Sequence, residues 1–161
     1  MQRYSSGQLV RILPLAEVLV FNTVVVGADD SPTAAEAVRK AIALVKLTAG
    51  QLHIVTAYKP QLFSSSDAGV DEYLKSIGSD ALAESLLAEL TGLARAEGVR
   101  AEAHALTRAP ADAICEVAAE VSADLIVVGN KGMQGVRRVL GSVPNSVAHQ
   151  APCDVLIAFT T

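Results

Sequence analysis

Residues whose types could do chemistry gather in two stretches of this 161-residue chain. One is Gly27-Ala-Asp-Asp-Ser-Pro32, where two carboxylates and a hydroxyl follow an apolar run. The other runs from Gly129 to Ser146, Gly-Asn-Lys-Gly-Met-Gln-Gly-Val-Arg-Arg-Val-Leu-Gly-Ser-Val-Pro-Asn-Ser. Glycines let backbone N–H groups come close to an anion, and a helix N-terminus adds unpaired donors and a partial positive charge. The chemistry this suggests is phosphate binding. Taken alone, the glycines could simply serve turns. The strand before them, the capped helix after them and the carboxylate of Asp29 opposite them favour the ligand. Asp29 itself could be an ordinary turn carboxylate, since negative charge near a helix N-terminus is favoured anyway.

Other chemistries find less support. A Walker A loop needs Gly-Lys-Ser/Thr, which does not occur. The dinucleotide fingerprint Gly-x-Gly-x-x-Gly is missing after the first strand, which makes a dehydrogenase a poor fit. Ser142 lacks the strand-turn-helix elbow of a nucleophilic serine. His53, His104 and His149 fall on two strands and a helix with no second His or Cys at ligand spacing, so no metal site is expected. Lys131, Arg137 and Arg138 could reach phosphates from the loop, but long basic side chains of this kind are as readily solvated.

The elements that must position these residues alternate. Thr23 to Gly27 reads as the first strand, followed by a helix with Ser31 as N-cap and Pro32 at its first position. Ala34, Val38, Ala41, Ile42 and Val45 give that helix one buried face. Gln51 to Tyr58 is the second strand, and residues 60–69, with three consecutive serines, form a loop of the kind that covers ligands. A long helix is expected over 71–97 with Leu82, Leu86, Leu90 and Leu93 down one side, its uniformity challenged by Gly78 and Gly92. Arg100 to Leu106 is the third strand. Pro110 opens a third helix with Ile114, Val117, Ala118 and Val121 inward. Asp124 to Val128 is a fourth, fully buried strand. A short helix then begins with Ser142 as N-cap and Pro144 in its first turn, and Cys153 to Phe159 is the fifth strand.

This alternation predicts an α/β fold: a Rossmann-like open sheet of five parallel strands, with helices on both faces and right-handed crossovers. In an order 3-2-1-4-5 the topology reverses between the first and fourth strands, and ligands bind at the carboxyl ends there. Asp29 and Gly129 follow those two ends.

Composition sets the remaining bounds. Hydrophobic residues make up 51% and charged residues 19%, so the chain can bury a core as one domain. A net charge of -4 offers no general attraction to nucleic acid or to a membrane surface. Leu9 to Phe21 is apolar but interrupted by Arg11, Pro14 and Glu17, and is shorter than the about 20 residues a membrane span needs. Residues 1–21 are read as an accessory segment and 22–161 as the domain. Cys115 and Cys153 are expected as free thiols, one in the core and one partly exposed at a strand start. The apolar last strand should lie at a sheet edge and invite a second copy across a two-fold axis, giving a homodimer.

Val24-Val-Val-Gly-Ala-Asp-Asp-Ser31, Ala123-Asp-Leu-Ile-Val-Val-Gly-Asn-Lys-Gly132 and Leu140-Gly-Ser-Val143 together resemble the universal stress protein family, across about residues 23–159. The closest likeness is to its nucleotide-binding branch, with the motif Gly-x2-Gly-x9-Gly-Ser/Thr. Gly129, Gly132, Gly141 and Ser142 fit it, although eight residues separate Gly132 from Gly141. Asp30 stands where many members carry Gly, and Pro144 removes a backbone donor. The resemblance implies a cytoplasmic, dimeric stress-response or signalling module that binds ATP, AMP or cyclic AMP, with Mg2+ as a companion of the nucleotide. A slow ATPase or phosphotransferase using the same pocket is the enzymatic alternative. By the same resemblance Asp29 contacts ribose, and the backbone near Ala57 holds adenine. Gly129, Gly132, Gly141 and Ser142 cradle ribose and phosphates, and Val128 packs near sugar and base. Ala28 and Val143 flank these positions, and Ser146 belongs to the same wall.

Overall fold

The structure, a computed structural model, describes residues 21–58, 71–130 and 142–160, with the backbone alone for 71–79. Five parallel strands form one sheet in the order β3-β2-β1-β4-β5. They are β1 (Thr23–Gly27), β2 (Gln51–Ala57), β3 (Arg100–Leu106), β4 (Leu125–Gly129) and β5 (Asp154–Ala158). The helices are α1 (Pro32–Thr48), α2 (Asp71–Ala96), α3 (Pro110–Glu120) and α4 (Val143–Gln150).

Side chains of successive strand residues point to opposite faces, so the sheet has two cores. Val24, Val26, Leu52, Ile54, Leu125 and Val127 pack under α1 and α2. Val25, Val55, Ile126 and Val128 pack under α3 and α4. Val24, Val25 and Val26 are wholly buried, as a central strand covered on both faces must be. Each such side chain is worth about 1.5–3 kcal/mol on burial. Asp124 fixes the start of this pairing: its Oδ2 accepts the N–H groups of Asn22 (2.8 Å) and Thr23 (2.9 Å). Asp124 therefore precedes β4, which gains Gly129 at its other end, one residue later than the sequence suggests. β5 likewise starts at Asp154 and ends at Ala158. Phe21 packs against the α1/α2-side core.

Two helices depart from the sequence reading. α2 buries Ala83, Leu87, Leu90 and Ala94, whereas Leu82 is 73% and Leu93 39% exposed. Spacings of four, three and four follow the 3.6-residue turn; of the expected stripe Leu90 lies in the core and Leu86 packs half-buried against it, while Leu82 and Leu93 fall outside. Ala34 is half-exposed and faces the strand ends, and Ala37 takes its place in the core. Both cysteines are free and half-buried, and burial pushes both thiols up. Next in effect come Asp112 for Cys115 and Asp154 for Cys153. Among the described residues no helix is long and apolar enough to cross a membrane.

α2 runs unbroken through Gly78 and Gly92 and stops where Gly98 takes φ +77°. Val99 N–H donates to the Ala94 carbonyl (3.0 Å) and Gly98 N–H to that of Arg95 (2.9 Å), a Schellman ending. A Cβ on Gly92 would meet nothing within 4 Å, but one on Gly50 would lie 2.5 Å from the Asn22 carbonyl oxygen. Gly92→Ala should therefore raise stability by up to about 1 kcal/mol through helix propensity. Gly50→Ala should lower it by about 1–3 kcal/mol, because backbone must move. Urea unfolding of both variants checks the opposite signs.

Candidate functional site

The crevice forms where β1 and β4 diverge into their following segments. Gly27 and Gly129 end the two strands, and the ladder carries one step further on each side: Ala28 N–H donates to the Val55 carbonyl (2.8 Å) and Asn130 N–H to that of Ala158 (3.0 Å). Thr56 Oγ1 donates to the Ala28 carbonyl (3.1 Å), holding the turn against β2. The resulting cleft measures about 680 Å³, counting its open mouth. Its enclosed part is about 160 Å³, and the rest is open to solvent. Val55, Ala57, Ile114, Val128 and Val143 give it apolar walls, with Pro110 and Pro144 at their edges. Asp29, Ser31 and Thr33 supply its polar side, and Gly27, Ala28, Ala34 and Gly129 its close backbone approaches.

Six of the residues singled out in the sequence line this cleft: Ala28, Asp29, Ala57, Val128, Gly129 and Val143. Ser142 and Ser146 are half-exposed at the start of α4 and stand outside the lining. Gly132, Gly141, Lys131, Arg137 and Arg138 lie outside the described residues, as does the loop at 60–69.

Asp29 is positioned by its neighbour. Its Oδ1 accepts the Ser31 N–H at 3.0 Å and also the Ser31 hydroxyl. Ser31 caps α1 as expected, accepting the Ala34 N–H (3.2 Å), and its oxygen lies 3.0 Å from Thr33 Oγ1. A chain of short-range polar contacts therefore sets the Asp29 carboxylate at the cleft edge.

Ser142 behaves differently. It has N-cap backbone angles, and its carbonyl accepts the Ser146 N–H (2.9 Å), but its side chain makes no capping bond. The expected hydroxyl cap is thus corrected. The first-turn N–H groups of Val143 and Asn145 have no acceptor within the helix, which leaves that end suited to an anion.

The sequence reading missed the residue that shapes the exit from β4. Asn130 Oδ1 accepts both the Thr160 N–H (2.9 Å) and the Thr160 hydroxyl (2.8 Å). A Cβ on Gly129 would stand 3.3 Å from Thr160 Oγ1 and from the Thr33 carbonyl oxygen. A side chain there would be tight, because three segments meet. Asn following a strand-ending glycine is a turn signal, but its partner 30 residues away is not readable from spacing.

The family comparison agrees with this geometry. A model of the universal stress protein family matches residues 21–158. A universal stress protein of Mycobacterium tuberculosis is 38% identical over 144 residues, covering 88% of this chain and 98% of the relative. The chain belongs to the universal stress protein family. A solved universal stress protein in complex with cAMP superposes with a TM-score of 0.72 at 36% identity, covering 89% of this chain and all of that one. The universal stress protein of Archaeoglobus fulgidus in complex with dAMP gives 0.62 at 26% identity, over 86% and 98% of the two chains. The five-stranded order observed here is the fold of these neighbours.

Asn130→Ala would leave the two Thr160 donors without their acceptor and loosen the start of the glycine segment. The expected loss is about 1–3 kcal/mol of stability. Faster amide hydrogen exchange at Asn130 and Thr160, with β2 and β3 unchanged, is the local signature to measure.

Proposed function

We propose that the crevice between the carboxyl ends of β1 and β4 binds an adenine nucleotide, and that the protein is a nucleotide-binding stress-response or signalling module. The observation that carries this reading is the combination in one cleft of apolar walls, a positioned carboxylate and an uncapped helix start. In this reading adenine lies between the Val55–Ala57 backbone and Val128, ribose on Asp29, and phosphate at the first turn of α4. Gly129 gives the sugar room, Gly132 and Gly141 add backbone donors, and Ser142 and Ser146 form the outer wall. ATP is the first candidate, because Gly129, Gly132, Gly141 and Ser142 match the nucleotide-binding motif apart from one residue fewer between Gly132 and Gly141. Cyclic AMP is the second candidate, because a relative 36% identical has been solved in complex with cAMP.

Asn145→Asp separates ligand from fold. A carboxylate in the first turn suits the helix dipole, yet it repels phosphate. At a hundred times its dissociation constant a nucleotide adds about 2.7 kcal/mol, or about 5–10 °C in a domain of this size. Thermal-shift titration with ATP, AMP and cyclic AMP should give that rise for the parent, a smaller one for Asp29→Ala, and almost none for Asn145→Asp. An unchanged response in Asn145→Asp overturns the phosphate position.

The proposal extends to a homodimer through β5. This edge strand exposes Leu156 (44%) and Ile157 (36%), followed by Phe159 (67%). Pairing two such edges across a two-fold axis covers them both. Light scattering should report a dimer at micromolar concentration, and Ile157→Lys should convert it to a folded monomer.

A further inference from the structure

His53 and His104 stand 51 residues apart in sequence, but the parallel register of β2 and β3 brings them together. His53 pairs with Glu102 and Val55 with His104, so all three polar side chains leave the sheet on the face that carries α3 and α4. His53 Nδ1 lies 2.9 Å from His104 Nε2, and Glu102 Oε2 is 3.8 Å from the same Nδ1. One ligand atom from each residue falls within 4.8 Å of the other two.

We propose that His53, His104 and Glu102 form a binding site for a divalent transition metal of the zinc type. Two imidazoles and one carboxylate are a zinc donor set that leaves the fourth position to water. Metal bonds of about 2.0–2.1 Å at tetrahedral angles put two nitrogens about 3.3 Å apart. The imidazole pair therefore has to open by about 0.4 Å and the carboxylate to close by about 0.5 Å, motions within small side-chain rotations.

The surroundings already do half of this work. Gln51 Nε2 donates to Glu102 Oε1 at 2.7 Å, which turns Oε2 toward the imidazoles. Such outer partners orient metal ligands. His53 is 4% exposed, whereas the Glu102 side chain is 59% exposed, so the site has a rigid buried side and an open one. Burial holds the His53 imidazole below its usual pKa, with His104 acting in the same direction and Glu102 against it. Burial thus favours the neutral ring, the form that ligates. Without a metal, Nδ1 and Nε2 can only share one proton between them.

Bound metal would staple the edge strand β3 to β2. The site stands outside the lining of the nucleotide crevice, two residues back along β2 from Val55. The proposal does not depend on nucleotide binding.

The test is titration of Zn2+ into the nucleotide-free, chelator-treated full chain, followed by calorimetry, with Co2+ as an optical substitute. One equivalent should bind, and the cobalt spectrum should be that of a tetrahedral site without a thiolate charge-transfer band. His104→Ala should weaken binding by more than the about 10–100-fold that an outer partner is worth, and Glu102→Gln by at least about tenfold. His149→Ala, on the exposed end of α4, should change nothing. Imidazole nitrogen NMR of the parent gives a readout independent of any variant: His53 Nδ1 and His104 Nε2 should move to metal-bound shifts together. No stoichiometric binding, unmoved imidazole signals, full affinity in His104→Ala, or a thiolate band from Cys115 or Cys153 would each overturn the proposal.

Discussion

Parallel pairing of β1 with β4 is the constraint on which the rest of this molecule depends. The two strands are 102 residues apart from Thr23 to Leu125, and nothing local brings them together. Val24, Val25 and Val26 opposite Leu125, Ile126 and Val127 bury both faces of the sheet centre. A one-residue slip would exchange the two faces throughout. The Asp124 carboxylate, bonded to the first two amides of β1, sets that register at its origin. Because the register is fixed, Gly27 ends level with Val128, one residue short of Gly129, and the helices α1 and α4 pack on opposite faces of the sheet. The crevice is the space between the chain's departures from these two strands.

Its chemistry follows from the same fact. At the end of a buried parallel strand the outgoing backbone carries polar groups that the sheet no longer satisfies. β2 and β5 take up some through Ala28 and Asn130, and the first turns of α1 and α4 face what remains. α1 satisfies its own start with Ser31, but α4 does not use Ser142 in this way. One helix start is thus self-contained and holds a carboxylate, while the other is left to an anion. In the proposed reading, that asymmetry gives the cleft a sugar side at α1 and a phosphate side at α4.

Much of this was legible in the chain. Runs such as Val24 to Val26 and Leu125 to Val128 are long enough, and β-branched enough, to declare buried strands. Alternation with helices then implied a parallel sheet, and in the order 3-2-1-4-5, which the structure has, Asp29 and Gly129 fall at the switch point because strand ends can be located to within a residue. What failed was information carried by tertiary neighbours. The leucines of α2 are so frequent that several stripes fit, and only contact with β2 and β3 selects Ala83, Leu87, Leu90 and Ala94. Ser142 has the right type and place for a cap, but capping depends on a rotamer. Asn130 with Thr160, and His53 with His104, are pairings across strands. They became visible once register was known, since a residue's partner in a parallel ladder is fixed by offset and not by motif.

The central claim, that an adenine nucleotide occupies the switch-point crevice, is tested most directly by backbone amide NMR of the full chain titrated with ATP and with cyclic AMP. Amides of Ala28, Asp29, Gly129, Asn130, Val143 and Asn145 should shift in a saturable manner, with those of β3 and the outer face of α2 unmoved. Saturable shifts confined to β3 or to the β5 edge, or none with either nucleotide at millimolar concentration, would contradict it.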